Sequence, residues 1–243
     1  MAFLLTLASL ISFLSFSDAQ AATYWGKRVS VGKGYAQTYI EVNNKKLESF
    51  GIGLSPSALK GLPHHMKEYQ LPLPNYKVSP YKLITIDWNP QGHEPGGVYD
   101  RPHFDYHFYL ISNTARKKIS CQGNDAAICI KNPEERKLPS NYAPTPEGVP
   151  QMGWHWVDLL SPEFNGGIFT RTFIYGYYDG GLIFIEPMVT TEYLKSKVTS
   201  HNNIRQPELY PFEGEYPSSY KVFYDQTLKL HKVELTNFNR PLE

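Results

Sequence analysis

Cysteine is scarce in this 243-residue chain, which holds two thiols, Cys121 and Cys129. A zinc site of four thiolates and a framework of several disulfides are both excluded by that count. Strong charge of either sign is lacking as well. Lys and Arg number 24 against 23 Asp and Glu, a formal net charge of +1. So weak a field gives no reason to expect nucleic acid or an anionic membrane surface as a partner. Beyond residue 17 no apolar run is long enough to span a bilayer as a helix. H-E-x-x-H, G-x-S-x-G and a phosphate-binding glycine loop are all missing, so no signature of those metalloprotease, hydrolase or nucleotide mechanisms is present. Long runs of helix-forming Ala, Leu, Glu and Lys are missing too, whereas tyrosine is abundant, with 18 residues. The composition leans to β structure.

The N-terminus has a pattern of its own. Residues 2–17, "AFLLTLASLISFLSFS", are almost wholly apolar, and small residues follow at Ala19 and Ala21. This predicts a signal peptide over residues 1–21, cut after Ala21, although no Lys or Arg precedes the apolar run. The mature chain is then exported, to the periplasm or outside the cell, with no membrane span left after cleavage. In that compartment the even pair Cys121 and Cys129, enclosing seven residues of "CQGNDAAIC", predicts a local disulfide.

Strand-like segments recur at short intervals, among them "YAQTYIEVN", "LESFGIGLS", "YKLITIDW", "MGWHWVDLL" and "YKVFYDQTLKLHKVEL". Asp179-Gly180 divides "FTRTFIYGYYDGGLIFIEPM" into a hairpin pairing Tyr178 with Gly181. Carried along the strands, that register sets Phe173 against Glu186, on a face shared with Tyr175, Leu182 and Phe184. "SPSALKGL" and "TTEYLKSK" read as short helices, and residues 113–152 as a long loop without clear period. The fold expected for residues 22–243 is a single, mainly β domain: an antiparallel β-barrel or sandwich with two or more short helices.

The chemistry concentrates in "RPHFDYHFYL", residues 101–110. As a strand it places His103, Asp105 and His107 on one face and Phe104, Tyr106 and Phe108 on the other. The aromatic face is fit for a core, so the polar face turns either to water or into a polar site. Two imidazoles four residues apart on a strand have Cα atoms roughly 13 Å apart, too far to share one ion unless the strand bends. Further ligands must come from neighbouring strands, and His155 in "GWHWVD" and Glu186 in "LIFIEP" are the candidates, with His93 in "GHEPGG" a third. Imidazole and carboxylate together suit a divalent transition metal, Zn, Mn, Fe or Ni. The same residues also fit a buried His–Asp pairing without metal, or the wet face of an edge strand. His64, His65, His201 and His231 sit in polar surroundings and are expected at the surface. "HFD" after Gly97 opens like a cupin motif, but Asp105 stands where the second histidine belongs and no second half follows.

Two function classes fit these residues. One is a metal-dependent enzyme acting on a small molecule. The other is a non-catalytic ligand-binding or assembly protein of the cell envelope, whose aromatic face takes an apolar ligand or a second subunit in a homo-oligomer.

The blocks "GKGYAQTYIEV", "GIGLSPSALKGLP", "WNPQGHEP", "PHFDYHFYLIS", "VPQMGWHWVDLLSPEF" and "FTRTFIYGYYDGGLIFIEPMVT" span about residues 30–195. In that order they resemble a domain-of-unknown-function family of exported bacterial proteins that includes a sigma-factor-regulated protein. The resemblance implies a β-rich exported domain and places His103, Asp105, His107, His155 and Glu186 in one motif set. It implies no reaction.

Overall fold

The computed structural model describes residues 21–239. The signal-peptide reading falls on residues 1–21, of which all but Ala21 lie outside the described residues.

The chain begins in one sheet, crosses to a second and returns. Strands β1 (Ala21–Trp25), β2 (Val29–Val31), β3 (Gly34–Asn43) and β4 (Lys46–Leu54) open the first sheet. The second is built by β5 (Lys67–Leu71), β6 (Leu83–Asn89), β7 (His103–Tyr109), β8 (Tyr142–Val149), β9 (Gly153–Asp158), β10 (Arg171–Tyr178) and β11 (Gly181–Thr190). Strands β12 (Ser200–Asn203), β13 (Tyr216–Asp225) and β14 (Leu230–Asn239) complete the first. All pairings are antiparallel, in the orders β1-β3-β4-β14-β13-β12, with β2 on β3, and β5-β6-β7-β11-β10-β9-β8. Neither sheet closes on itself, so the fold is a sandwich rather than a barrel.

Alternation along each strand decides the core. Ile40, Phe50, Ile52 and Val233 of the first sheet meet Ile84, Ile86, Phe104, Tyr106, Phe108 and Tyr175 of the second in one buried cluster. Phe50 and Phe108 touch edge to face across it, with ring centroids 5.1 Å apart. Burying a phenylalanine-sized side chain contributes about 1.5–3 kcal/mol, so the parity of β7 is firmly set. The aromatic face of "RPHFDYHFYL" is core, as its pattern predicts.

Three sequence expectations change. "SPSALKGL" forms only a 3-10 turn, Pro56–Leu59, whereas "TTEYLKSK" gives the helix Thr191–Ser196. Residues 113–152 are not one loop, since they hold short helices at Asn113–Arg116 and Ala126–Cys129 as well as β8. Strand β8 carries Pro144 and Pro146 and is tolerated because it lies at the sheet edge, where a missing N–H costs little. His231 is buried beside Tyr224, not at the surface, because its position in β14 pairs with Leu54 and Tyr224 in mid-sheet.

Cys121 and Cys129 form a disulfide. The loop it closes is held by Asp125, whose carboxylate accepts from the backbone N–H groups of Ser120 and Cys121, each at 2.8 Å, and from the Tyr178 hydroxyl. The bridge rests on Gly148 of β8, where a Cβ would stand 2.3 Å from Cys129 Sγ.

Candidate metal centre

The polar face of β7 turns away from the sandwich core, yet every residue of the strand is buried. It lies in mid-sheet between β6 and β11, which rules out the wet edge strand. Segments outside the sheet cover it. Tyr99 and Phe169 pack with Ile174 and Met188 on one side, and Ile119 packs with Tyr109, Ile183 and Phe184 on the other. A row of imidazoles and carboxylates is thereby taken out of water while still facing outward from the sandwich.

Register brings the partners in. His103 pairs with Asn89 of β6 and Thr190 of β11, and Asp105 with Asp87 and Met188. Between the pairs Ile185–Phe108 and Met188–Asp105, Glu186 falls opposite His107. The hairpin does pair Tyr178 with Gly181, but a bulge between Gly176 and Tyr177 shifts the rest of the register by one residue. Glu186 therefore lies opposite Ile174, not Phe173, and leaves the face of Phe173 and Tyr175 for the opposite one. That single extra residue carries Glu186 to the histidine side of the sheet. His155 of β9 arrives beside it through its pairing with Gly176. Gly176 is required there: a Cβ would stand 2.0 Å from Cε1 of Phe184, whose ring packs edge-on against His107 and His155.

Two triads result, His93, His103 and Asp105, and His107, His155 and Glu186, each with its donor atoms within 4.8 Å of one another. His103 and His107 fall in different triads, as their spacing along the strand requires. In the first, Asp105 Oδ1 is 3.0 Å from His103 Nε2, and Asp105 Oδ2 is 3.4 Å from His93 Nε2 and accepts from Asn89 Nδ2 at 2.6 Å. In the second, Glu186 Oε2 is 3.6 Å from His107 Nε2 and 3.9 Å from His155 Nε2.

The far nitrogens of two rings are hydrogen-bonded, and that of a third faces a carboxylate. His103 Nδ1 lies 2.6 Å from the Arg101 carbonyl, His93 Nδ1 2.7 Å from the Glu94 carbonyl, and His107 Nδ1 3.2 Å from Asp87 Oδ2. In the neutral ring, an N–H on Nδ1 facing these oxygens would leave Nε2 unprotonated and directed into the triad, the arrangement that orients metal-ligating histidines. Inside the triads, Asp105 Oδ1, Glu186 Oε2 and His107 Nε2 are buried without a hydrogen bond of acceptable geometry, and so is His107 Nδ1 on the far side of its ring. These donor atoms lie close together without bonding to one another, as atoms that share a third partner do.

Burial and charge pull against each other here. Burial disfavours a charged His107 ring, but Glu186, Asp87 and Asp105 push its pKa up to about 9. Burial is likewise overcome at His93, chiefly by Asp105, and its pKa also reaches about 9. His155 goes the other way, to about 3, through burial and the nearby His107 and His93. Burial lifts Glu186 to about 8 against the pull of His107, and raises Asp87 as well. Asp105 is buried too, but His103 and His93 hold it well below the usual carboxylate range.

Solvent reaches the cluster unevenly. The side chains of His93 and His155 are 34% and 12% exposed, against 0% for His103 and 1% for His107. A surface cleft formed by Arg101, Pro102, Thr190, Thr191, Glu192 and Lys195 adjoins the site at Arg101, though no imidazole lines it. All five residues singled out as candidate ligands lie in this cluster, together with His93 from the glycine loop. Asp87 and Asn89 are additions. Both follow from the parity of "LITIDWN", where Ile84, Ile86 and Trp88 face the core and Thr85, Asp87 and Asn89 face outward.

Comparison with protein-family models, curated proteins and solved structures gives no match to this chain. The case for the site therefore stands on its geometry.

Proposed function

We propose that this is an exported metal-binding protein whose outer-face cluster holds a divalent transition metal for chemistry on a small molecule. The observation that carries the reading is the tethering of His93 and His103 through Nδ1 to backbone carbonyls, with their Nε2 atoms and that of His107 turned toward a buried carboxylate. Each triad offers two imidazoles and one carboxylate, a donor set suited to Zn, Mn, Fe or Ni. Three protein donors leave coordination positions open, as in catalytic rather than structural sites. An ion so placed would supply Lewis-acid activation of water or substrate. Asp87 orients His107 from behind, and the covering aromatic rings keep bulk water away. Export is supported by the apolar N-terminal segment with its Ala19/Ala21 pattern, by the resemblance to exported bacterial proteins, and by the Cys121–Cys129 disulfide. The depth of His103 and His107 favours a second reading, in which the ion braces a non-catalytic binding or assembly protein of the envelope.

Elemental analysis of the mature protein purified from the export compartment tests the proposal. A transition metal in near-stoichiometric amount is expected. Metal-free protein that takes up no Zn, Mn, Fe or Ni on incubation would overturn it.

A further inference from the structure

We infer that the two triads hold two metal ions in one dinuclear centre, with Asp105 on the strand between them; this rests on the metal-binding reading above. The first argument is the accounting of buried polar atoms. Asp105 Oδ1 lacks a well-formed hydrogen bond in one triad, and Glu186 Oε2 and His107 Nε2 lack one in the other. A buried acceptor without a partner is costly, and a buried charge more so. One ion in the His107 triad would leave Asp105 Oδ1 with only its contact to His103, and one ion in the His93 triad would leave Glu186 and His107 facing each other at 3.6 Å without a hydrogen bond. Two ions would satisfy both sets at once.

The second argument is proximity. His103, Asp105 and His107 are successive outward positions of one strand, each step a single pleat repeat of roughly 6.6–6.8 Å between Cα atoms. Their side chains lean toward separate partners, His93 and Glu186, so the triads follow one another along the strand, the first against Phe169 and the second against Phe184. Each triad also has one imidazole with access to solvent, His93 in one and His155 in the other. Both ions could therefore be loaded and exchanged without opening the sandwich. Asp87 touches His107 and pairs with Asp105 across β6 and β7, which places one outer carboxylate behind the junction of the two triads.

Loading with Mn(II) gives a test whose readout is independent of activity. Full-length protein stripped with a chelator and titrated with Mn(II) should saturate at two ions per chain. The six-line resonance of isolated Mn(II) should give way to the spectrum of a spin-coupled pair as the second ion binds. His93→Ala, a change in a partly exposed loop residue, should reduce the capacity to one ion and restore an uncoupled spectrum, with far-UV circular dichroism unchanged. His155→Ala should do the same from the other triad. Saturation of the native protein at one ion, or two ions without coupling, would overturn the dinuclear centre and leave the metal-binding reading intact. Failure to bind any ion would overturn both.

Discussion

Replacing Gly176 by alanine probes how the sheet itself shapes the centre. The new Cβ would meet Phe184 at 2.0 Å from Cε1, 2.1 Å from Cζ and 2.4 Å from Cδ1, far inside van der Waals contact. The ring cannot retreat freely. It is fully buried and packs edge-on against His107, Tyr109 and His155, with centroids 4.8, 5.2 and 5.3 Å away. Overpacking a close-packed site costs about 1–3 kcal/mol. For a domain of this size that lowers the melting temperature by roughly 2–4 °C per kcal/mol, or about 6–12 °C at the upper end of the cost. The strain falls on the second triad, since the ring must press on His107 or His155, so metal affinity should fall along with stability. Differential scanning calorimetry and a metal titration read the two effects. The double variant Gly176→Ala/Phe184→Leu vacates the space and should recover much of the lost melting temperature. A Gly176→Ala protein with native melting temperature and native metal affinity would refute the role of this contact in shaping the site.

Three further outcomes are expected. In metal-stripped protein, His93 and His107 with pKa values near 9 and Glu186 near 8 keep protons that the unfolded chain, with His near 6.5 and Glu near 4.3, has already released. Their contribution to stability is complete below the unfolded values and is lost as pH rises through the folded ones, so melting temperature should fall from pH 6.5 to 9. His155, held near pKa 3, acts oppositely below pH 6.5, and a melting temperature that stays flat or climbs between pH 6.5 and 9 would contradict these assignments. Asp87→Asn should weaken the ion at the His107 triad by about 10–100-fold, the usual effect of losing an outer carboxylate on a ligating histidine, and an unchanged dissociation constant would count against that role. Cys121→Ser/Cys129→Ser should cost at most about 2–3 kcal/mol of stability and leave metal content intact, because the bridge closes a short loop against β8; loss of the metal would show that the loop supports the centre more directly.

Much of the site was legible because β structure has a period of two. Phe104, Tyr106 and Phe108 demand the core, which forces His103, Asp105 and His107 onto the other face, and the same parity applied to "LITIDWN" delivers Asp87 and Asn89. What parity cannot supply is an added residue. The bulge beside Gly176 moves Glu186 from the Phe173 face to the histidine face, and the only sequence sign of it is a glycine inside a strand, a weak one. The prolines of β8 likewise hid a strand that survives only because it lies at a sheet edge. Nor does local pattern reveal which segments fold over a sheet. That the outer face is dry depends on Tyr99, Phe169 and Ile119 meeting residues far away in the chain.

The division of labour between the two faces of β7 bears on how such a centre persists in a fold. The inward face holds the sandwich together through aromatic packing and carries none of the candidate ligands. The outward face holds groups that are costly to bury and are supported by covering segments rather than by the opposite sheet. His93, carried on the loop between β6 and β7, can therefore change without disturbing the Phe50–Phe108 core. Phe104 or Phe108 cannot, because each also fixes the parity that aims Asp105 and His107. Substitutions on the outward face should thus separate metal binding from folding, whereas those on the inward face should lose both together.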